Sequence, residues 1–174
     1  MKPKFKTFNY NQDFLRVRDF LSLTFGHYRR SVNWRIERWE YAFHFIAPFL
    51  ANWGQQPPRR DSAEEAIRFL ESLTGIWETA DGQIAGVVNI EHPDLTHPGF
   101  GEFFIQRHPD HLDLLPEMLN FAEKNLIDPA QKRLFIYIDP TDKVLKSLLE
   151  EKGFKAFPER TETESAFYLT GKSL

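Results

Sequence analysis

Four of the six histidines, His92, His97, His108 and His111, fall within twenty positions of one another, and Asp94 and Asp110 lie among them. Imidazoles and carboxylates at that density can hold a metal ion or move protons. Their spacing argues against the metal, because His108-Pro109-Asp110-His111 is not the i, i+4 helical pair of zinc hydrolases and no orienting carboxylate accompanies it. They read as loop histidines, and no metal is expected. A second constellation, Arg29, Arg30, Arg35 and Arg38 interleaved with Tyr28, Trp34 and Trp39, could clamp a nucleic-acid strand by charge and stacking. Glu37 and Glu40 dilute that charge, so the segment reads as an amphipathic helix and nucleic acid is not an expected partner. Cysteine is absent, which removes thiolate zinc sites, cysteine nucleophiles and disulfides, and makes a reducing, cytoplasmic setting the default.

The elements that would position any site can be read from periodicity. The chain has 174 residues, enough for one domain spanning 1–174 with a full core. Its 22 basic and 25 acidic residues give a net charge of −3, so nothing draws it electrostatically to nucleic acid or anionic membrane. No apolar h-region follows the basic N-terminus and no stretch is long enough to span a bilayer, so neither export nor a membrane is expected. Aromatic residues make up 15%, an excess that suits cores, apolar ligand pockets and interfaces alike.

Lys4 to Phe8 alternates as an edge strand. Asn11 or Asp13 is expected to cap a helix with Phe14, Val17, Phe20, Leu21 and Phe25 on one stripe. Trp34 to Leu50 has helical spacing and turns apolar on nearly every side in its second half. That half is either core or one wall of a ligand site. Gly54 to Asp61 is a loop with tandem prolines, and Ser62-Ala63-Glu64-Glu65 is a capping box opening a helix through Ile67, Leu70 and Leu73. Ile76 to Glu91 reads as a hairpin about Asp81-Gly82 with a tight primed turn. His92 to Gly99 is a polar loop and Phe100 to Gln106 a third meander strand. Pro116 opens a helix with its cap near Leu115, carrying Met118, Leu119, Ala122 and Leu126 on its buried face. Arg133 to Asp139 is a buried strand, Thr141 or Asp142 caps a helix that Gly153 stops, and Phe154 to Phe157 and Ser165 to Thr170 are strand-like.

This order, β-α-α, then β-β-β-α, then β-α-β-β, resembles the GCN5-related N-acetyltransferase (GNAT) superfamily. The segment from Thr141 through Gly153-Phe154 resembles that family's closing helix, Gly-Phe and strand, and Arg107-His108-Pro109-Asp110 resembles its loop after the third meander strand. The loop lacks glycine, as in the first domain of tandem GNAT proteins. Tyr168 to Leu174 looks like the end of such a domain, which leaves a second GNAT-like domain or a homodimer as a partner. The fold class implied is α/β (α+β), a mixed central sheet with an N-terminal antiparallel meander, splayed strands and helices on both faces.

The resemblance further implies an acetyl-CoA-dependent N-acyltransferase acting on a small-molecule amine or a peptide. The rival is a catalytically silent domain of the same fold that binds a ligand or partner. The strands Phe100 to Gln106 and Arg133 to Asp139 would run parallel and open toward their C-terminal ends. The main chain of Ile105, Gln106 and Arg107 would hold the pantetheine arm, and backbone amides from His108 through His111, Leu112, Asp113 and Leu114 would meet the pyrophosphate. Asp142 and Leu145 would complete the cofactor set. Glu102, or Glu91 at the end of the preceding strand, would be the general base, although Glu102 reads more readily as an edge carboxylate, because the alternation that points it inward hangs on a single residue. The family's acidic tyrosine would fall at Leu149. No glycine occurs between Gly101 and Gly153, so bare backbone is scarce where phosphate should approach. Asp110, Asp113 and Glu117 stand near the same helix start and would repel an anion.

Overall fold

The computed structural model describes residues 1–28, 35–48, 63–90, 101–128, 132–157 and 165–170. Its strands are β1 (Lys4–Thr7), β2 (Gly75–Glu78), β3 (Ile84–Ile90), β4 (Glu102–Arg107), β5 (Arg133–Ile138), β6 (Lys155–Ala156) and β7 (Ser165–Thr170). They form one seven-stranded sheet in the order β1-β2-β3-β4-β5-β7-β6. Every neighbouring pair is antiparallel except β4 with β5. The helices are α1 (Tyr10–Tyr28), α2 (Ile36–Tyr41), α3 (Ala63–Ser72), α4 (Leu115–Asn125) and α5 (Lys143–Glu151). A single wide π turn over Ala42–Ile46 continues α2, and a 3-10 turn over Pro109–Leu114 precedes α4. Gly54 to Asp61, Ser62, Glu91 and His92 to Gly99 lie outside the described residues.

Local rules explain most starts and stops, with four corrections. Helix α1 begins three residues before Asp13. Asn9 is its cap, accepting the Gln12 N–H through Oδ1 at 3.2 Å, while Asp13 accepts the Asn9 N–H at 3.0 Å in return. The buried stripe of α1 is Phe14, Val17, Leu21 and Thr24, joined by Phe20, while Phe25 is 52% exposed. Spacing of 3, 4 and 3 residues selects Thr24 over its apolar neighbour, and the Thr24 hydroxyl is satisfied by the Phe20 carbonyl at 2.9 Å.

The β2–β3 hairpin has no primed two-residue turn. Thr79 pairs with Gln83 around a three-residue loop, the Gly82 N–H donates to the Thr79 carbonyl at 3.0 Å, and only Gly82 takes a positive φ, +81°. That is a type I turn closed by a bulge glycine, which lets Asp81 keep an ordinary φ. Pro116 is the second rather than the first residue of α4, whose cap is Leu114.

Helix α5 follows its sequence closely. Asp142 Oδ1 accepts the Leu145 N–H at 3.0 Å. At the other end the Phe154 N–H reaches the Leu149 carbonyl and the Gly153 N–H the Glu150 carbonyl, a Schellman closure.

The two sheet faces are covered by different helices. A Cβ on Gly86 would touch Met118 and Leu114, so Gly86 and its β4 partner Arg107 face α4. On the opposite face Arg38 of α2 lies over the Phe104 ring, 5.4 Å from its centroid. Trp39 is fully buried there among Phe8, Phe14 and Phe43, and its indole N–H donates to the Phe14 carbonyl at 3.2 Å. A fully buried indole cannot stack on a nucleotide base, which removes Trp39 from the arginine and aromatic constellation. The segment after α2 divides as its surroundings dictate: Phe43 and Ile46 enter the core, while Tyr41 and Phe45 stack on each other half-exposed, with centroids 4.8 Å apart. Phe49 and Leu50 lie outside the described residues.

Candidate functional site

The parallel pair β4–β5 is bonded at one end only. Cα partners exist at Glu102 with Phe135 and at Phe103 with Ile136, and among the described residues the ladder ends there. Both strands are held by their outer neighbours, β4 by β3 from Phe103 to Arg107 and β5 by β7 from Arg133 to Ile138. Each therefore follows its own side of the twisted sheet, and the gap between them widens toward their C-terminal ends.

Gly101 pins the closed end. Its carbonyl accepts the Phe135 N–H at 2.7 Å, its φ is +89°, and a Cβ there would lie 2.6 Å from the Arg133 carbonyl oxygen. Only glycine lets the two strands approach so closely at this point.

Strand alternation settles which groups face the opening. Gly101 presents its carbonyl to β5, and the His108 N–H donates to Ala85 at the end of β3 at 2.8 Å. The main-chain groups of Phe103, Ile105 and Arg107 therefore point toward β5, and those of Glu102, Phe104 and Gln106 toward β3. Side chains alternate across the faces: Ile105 and Arg107 stand on the α4 side, Glu102, Phe104 and Gln106 on the side of α1 and α2.

At the wide end lies a cavity of about 370 Å³ bounded by Tyr28, Arg107, Leu112, Asp139, Asp142 and Lys143, with Pro109, Thr141 and Val144 at its edges. Arg107 and Asp142 form an ion pair across it, Nη2 to Oδ2 at 2.8 Å, and Arg107 as a whole is only 5% exposed. The Tyr28 hydroxyl donates to the Arg107 carbonyl at 3.4 Å. Burial, offset by Arg107 and reinforced by Asp142 and Asp110, raises the Tyr28 phenol above its ordinary value and holds it in the neutral form. Asp139 is turned onto Thr141, taking its N–H at 2.7 Å and its hydroxyl at 2.6 Å.

The loop from His108 to Leu114 is wound rather than open. The His108 imidazole accepts the Asp110 N–H, the His111 N–H donates to the His108 carbonyl at 3.0 Å, and the Leu115 N–H is spent on Leu112. Pro109 brings no N–H at all. With no glycine to hold the backbone flat, these residues satisfy one another in a 3-10 turn. Leu112 borders the cavity, Asp113 is exposed, and Leu114 and Leu145 are core residues. Glu117 is occupied elsewhere, accepting the Trp77 indole N–H at 2.8 Å and pairing with Lys2 at 3.2 Å. Leu149 is fully buried in the core.

Of the sequence-derived candidates, the structure brings Arg107, Leu112 and Asp142 to the cavity, with the Ile105 main chain on the open edge. Glu102 stands at the closed end, five residues or about 16 Å from Arg107 along the strand. Glu91 lies outside the described residues. The sequence marks Tyr28 only as a member of the arginine and aromatic constellation, and it does not mark Asp139 or Lys143 at all. A signal for Tyr28 existed, since Phe14, Val17, Leu21, Thr24 and Tyr28 continue one 3-4-3-4 spacing along α1. None of the described helices is long and apolar enough to cross a membrane.

No protein-family model matches the chain, and no curated protein matches it in sequence. Solved structures do match in shape. An acetyltransferase from Agrobacterium tumefaciens superposes with a TM-score of 0.57 at 14% identity, covering 98% of this chain and 91% of the other. The PaiA N-acetyltransferase of Thermoplasma acidophilum, solved with coenzyme A, gives 0.55 at 12% identity, with 98% and 100% covered. An acetyltransferase of the GNAT family from Streptococcus pneumoniae gives 0.54 at 16% identity, with 98% and 100% covered. The chain has the GNAT fold.

Proposed function

We propose that this protein is an N-acyltransferase that moves an acetyl group from acetyl-CoA to a primary or secondary amine. The observation that carries the reading is the parallel pair β4–β5, bonded at Glu102 and Phe103 and open beyond, with a cavity at its mouth. Two parallel strands that part beyond their first paired residues suit a ligand that carries amides along an extended arm. The main-chain groups of Ile105 and Arg107 point into that gap and would hold the arm. Laid from the mouth inward, its thiol end comes to the closed apex beside Glu102.

When bound, acetyl-CoA supplies the activated thioester carbon on which the amine acts. Glu102, on the face of α1 and α2, would take the proton that the amine loses as its nitrogen bonds to the thioester carbon; the C–S bond breaks and CoA leaves as the thiolate, which takes its proton from water. The aromatic surroundings on that face suit an acceptor with an apolar body. Tyr28, kept as the neutral phenol, fixes the end of β4 by donating its one O–H to the Arg107 carbonyl, which leaves its oxygen as an acceptor toward the cleft. Leu149 has no access to it.

The test is thermal unfolding with acetyl-CoA, followed by thiol release with an amine panel. A ligand at 100 times its dissociation constant adds about 2.7 kcal/mol, a rise of roughly 5 to 10 °C for a chain of this length. No rise at millimolar acetyl-CoA removes the reading. Binding with no thiol release from any amine would leave a ligand-binding domain in its place.

A further inference from the structure

One cation stands beside the closed end of the cleft without a part in the chemistry proposed there. Arg38 belongs to the arginine and aromatic constellation from which burial removes Trp39. Its guanidinium lies over the Phe104 ring, 5.4 Å from the centroid, and Arg38 is an exposed residue whereas Phe104 is buried. Phe104 and Glu102 are alternate residues of β4, so their side chains share the face of α1 and α2, about 7 Å apart along the strand. The placement of Arg38 is set by its neighbour. Trp39, buried against Phe8, Phe14 and Phe43 with its indole N–H on the Phe14 carbonyl, fixes the rotation of α2 and leaves Arg38 at the border of the buried stripe. Such a residue lays its stem on apolar surface and keeps its charge in water. Glu37 and Glu40, one and two positions away along α2, project in other directions. One face near the apex thus carries a carboxylate and a guanidinium on either side of an aromatic ring.

We propose that Arg38 selects the acceptor: the amine taken by this site carries a carboxylate a few bonds from its nitrogen, as an amino acid with an apolar side chain does. The proposal rests on the acyl-CoA reading and on Glu102 as the group that meets the amine. A zwitterion laid across Phe104 turns its nitrogen to Glu102, its carboxylate to Arg38 and its apolar body to the ring. The spans agree in scale. Nitrogen and carboxylate oxygen lie about 3 Å apart in an α-amino acid, and a hydrogen bond of about 2.9 Å at each end bridges up to about 9 Å. A guanidinium fork matches a carboxylate through two parallel bonds, which a neutral carboxamide in the same place cannot reproduce.

The test compares the free-acid and carboxamide forms of leucine, phenylalanine and tryptophan on the full chain. Thiol release from acetyl-CoA gives kcat/KM for each form, and calorimetry of the same compounds reads binding without turnover. Wild type should favour the acid forms by about tenfold or more. Arg38→Gln should remove that preference by weakening the acid forms alone, Arg38→Lys should keep part of it, and Arg38→Glu should invert it. Comparing each variant with wild type cancels the different basicity of the acid and amide amines. Equal use of both forms by wild type, no binding of any acid form, or an Arg38→Gln loss shared by both forms overturns the proposal. The last result would make Arg38 a cover for Phe104 and nothing more. Arg38 is exposed, so its variants should fold and should keep the wild-type rise in unfolding temperature with acetyl-CoA. Acid-form binding that depends on Arg38, with no rise from acetyl-CoA, would keep the acceptor site and remove the acyl-CoA reading. A rise from acetyl-CoA with no Arg38-dependent preference in binding or release would do the reverse.

Discussion

Replacing Gly101 with alanine attacks the apex of the cleft, and its cost can be worked from two quantities. The residue sits at φ +89°, where an L side chain costs about 1 to 2 kcal/mol. The new Cβ would start 2.6 Å from the Arg133 carbonyl oxygen, a backbone atom that cannot swing aside. Relieving that contact moves β4 from β5 and stretches the bond from the Phe135 N–H to the Gly101 carbonyl, forfeiting about another 1 kcal/mol. The sum is about 2 to 3 kcal/mol.

Urea denaturation reads it directly: with a slope near 2 kcal/mol per molar, the midpoint should fall by roughly 1 to 1.5 M with the slope unchanged. Gly26→Ala is the control, because Gly26 lies in α1 with nothing near its absent Cβ, and alanine there should stabilise by up to about 1 kcal/mol. The same chemical change thus carries opposite signs at two sites. A loss at Gly101 under about 0.5 kcal/mol, the scale of a neutral surface change, would refute the claim that glycine is what lets the strands meet.

Asp13 is fully buried; burial pushes its carboxyl up, but hydrogen bonds from Lys6, the Asn9 N–H and Arg16 together hold it below the ordinary value. The contribution is present above the unfolded carboxylate value and is lost as pH falls through the lower folded one, so Asp13→Ala should cost about 2 to 4 kcal/mol at neutral pH and flatten the acid limb of a stability profile. An unchanged acid limb would contradict this. Tyr28, raised mainly by burial, should ionise above the ordinary tyrosine range in a spectrophotometric titration, and Tyr28→Phe should delete that late step. Its contribution to stability holds below the unfolded value near 10 and falls as pH rises toward the folded one. Glu117→Leu should cost about 1 to 2 kcal/mol by stranding the Trp77 indole N–H and should leave CoA affinity unchanged, since Glu117 faces Trp77 and Lys2. A marked gain in affinity would restore it as a repelling charge at the loop.

Elements whose signals are short-range were readable in advance. The α5 cap at Asp142 and its stop at Gly153 need only residues within one turn, and both appear as the spacing implies. The hairpin was legible as a hairpin but not in its turn type, because Asp-Gly serves a primed turn and a bulged type I turn equally, and pairing of Thr79 with Gln83 decides between them. Phe25 was misassigned because hydrophobicity was weighed above spacing. Thr24 sits where the helix period puts the core and can satisfy its hydroxyl on the preceding turn, so it displaces the more apolar residue beside it.

The site itself depends on contacts that no local pattern contains. The opening of β4 against β5 is what the family resemblance implies, yet what lines its mouth is not. Arg107 and Asp142 are separated by 35 positions, and Tyr28 and Arg107 by 79. Read singly, Arg107 is an ordinary strand-end cation and Asp142 an ordinary helix cap, and each label is correct. Their meeting is set by the angle at which the two strands part, which follows from β3 and β7 holding the outer edges rather than from either residue. The missing glycines pointed the same way without saying how: a loop that cannot lie flat winds on itself and consumes its amides.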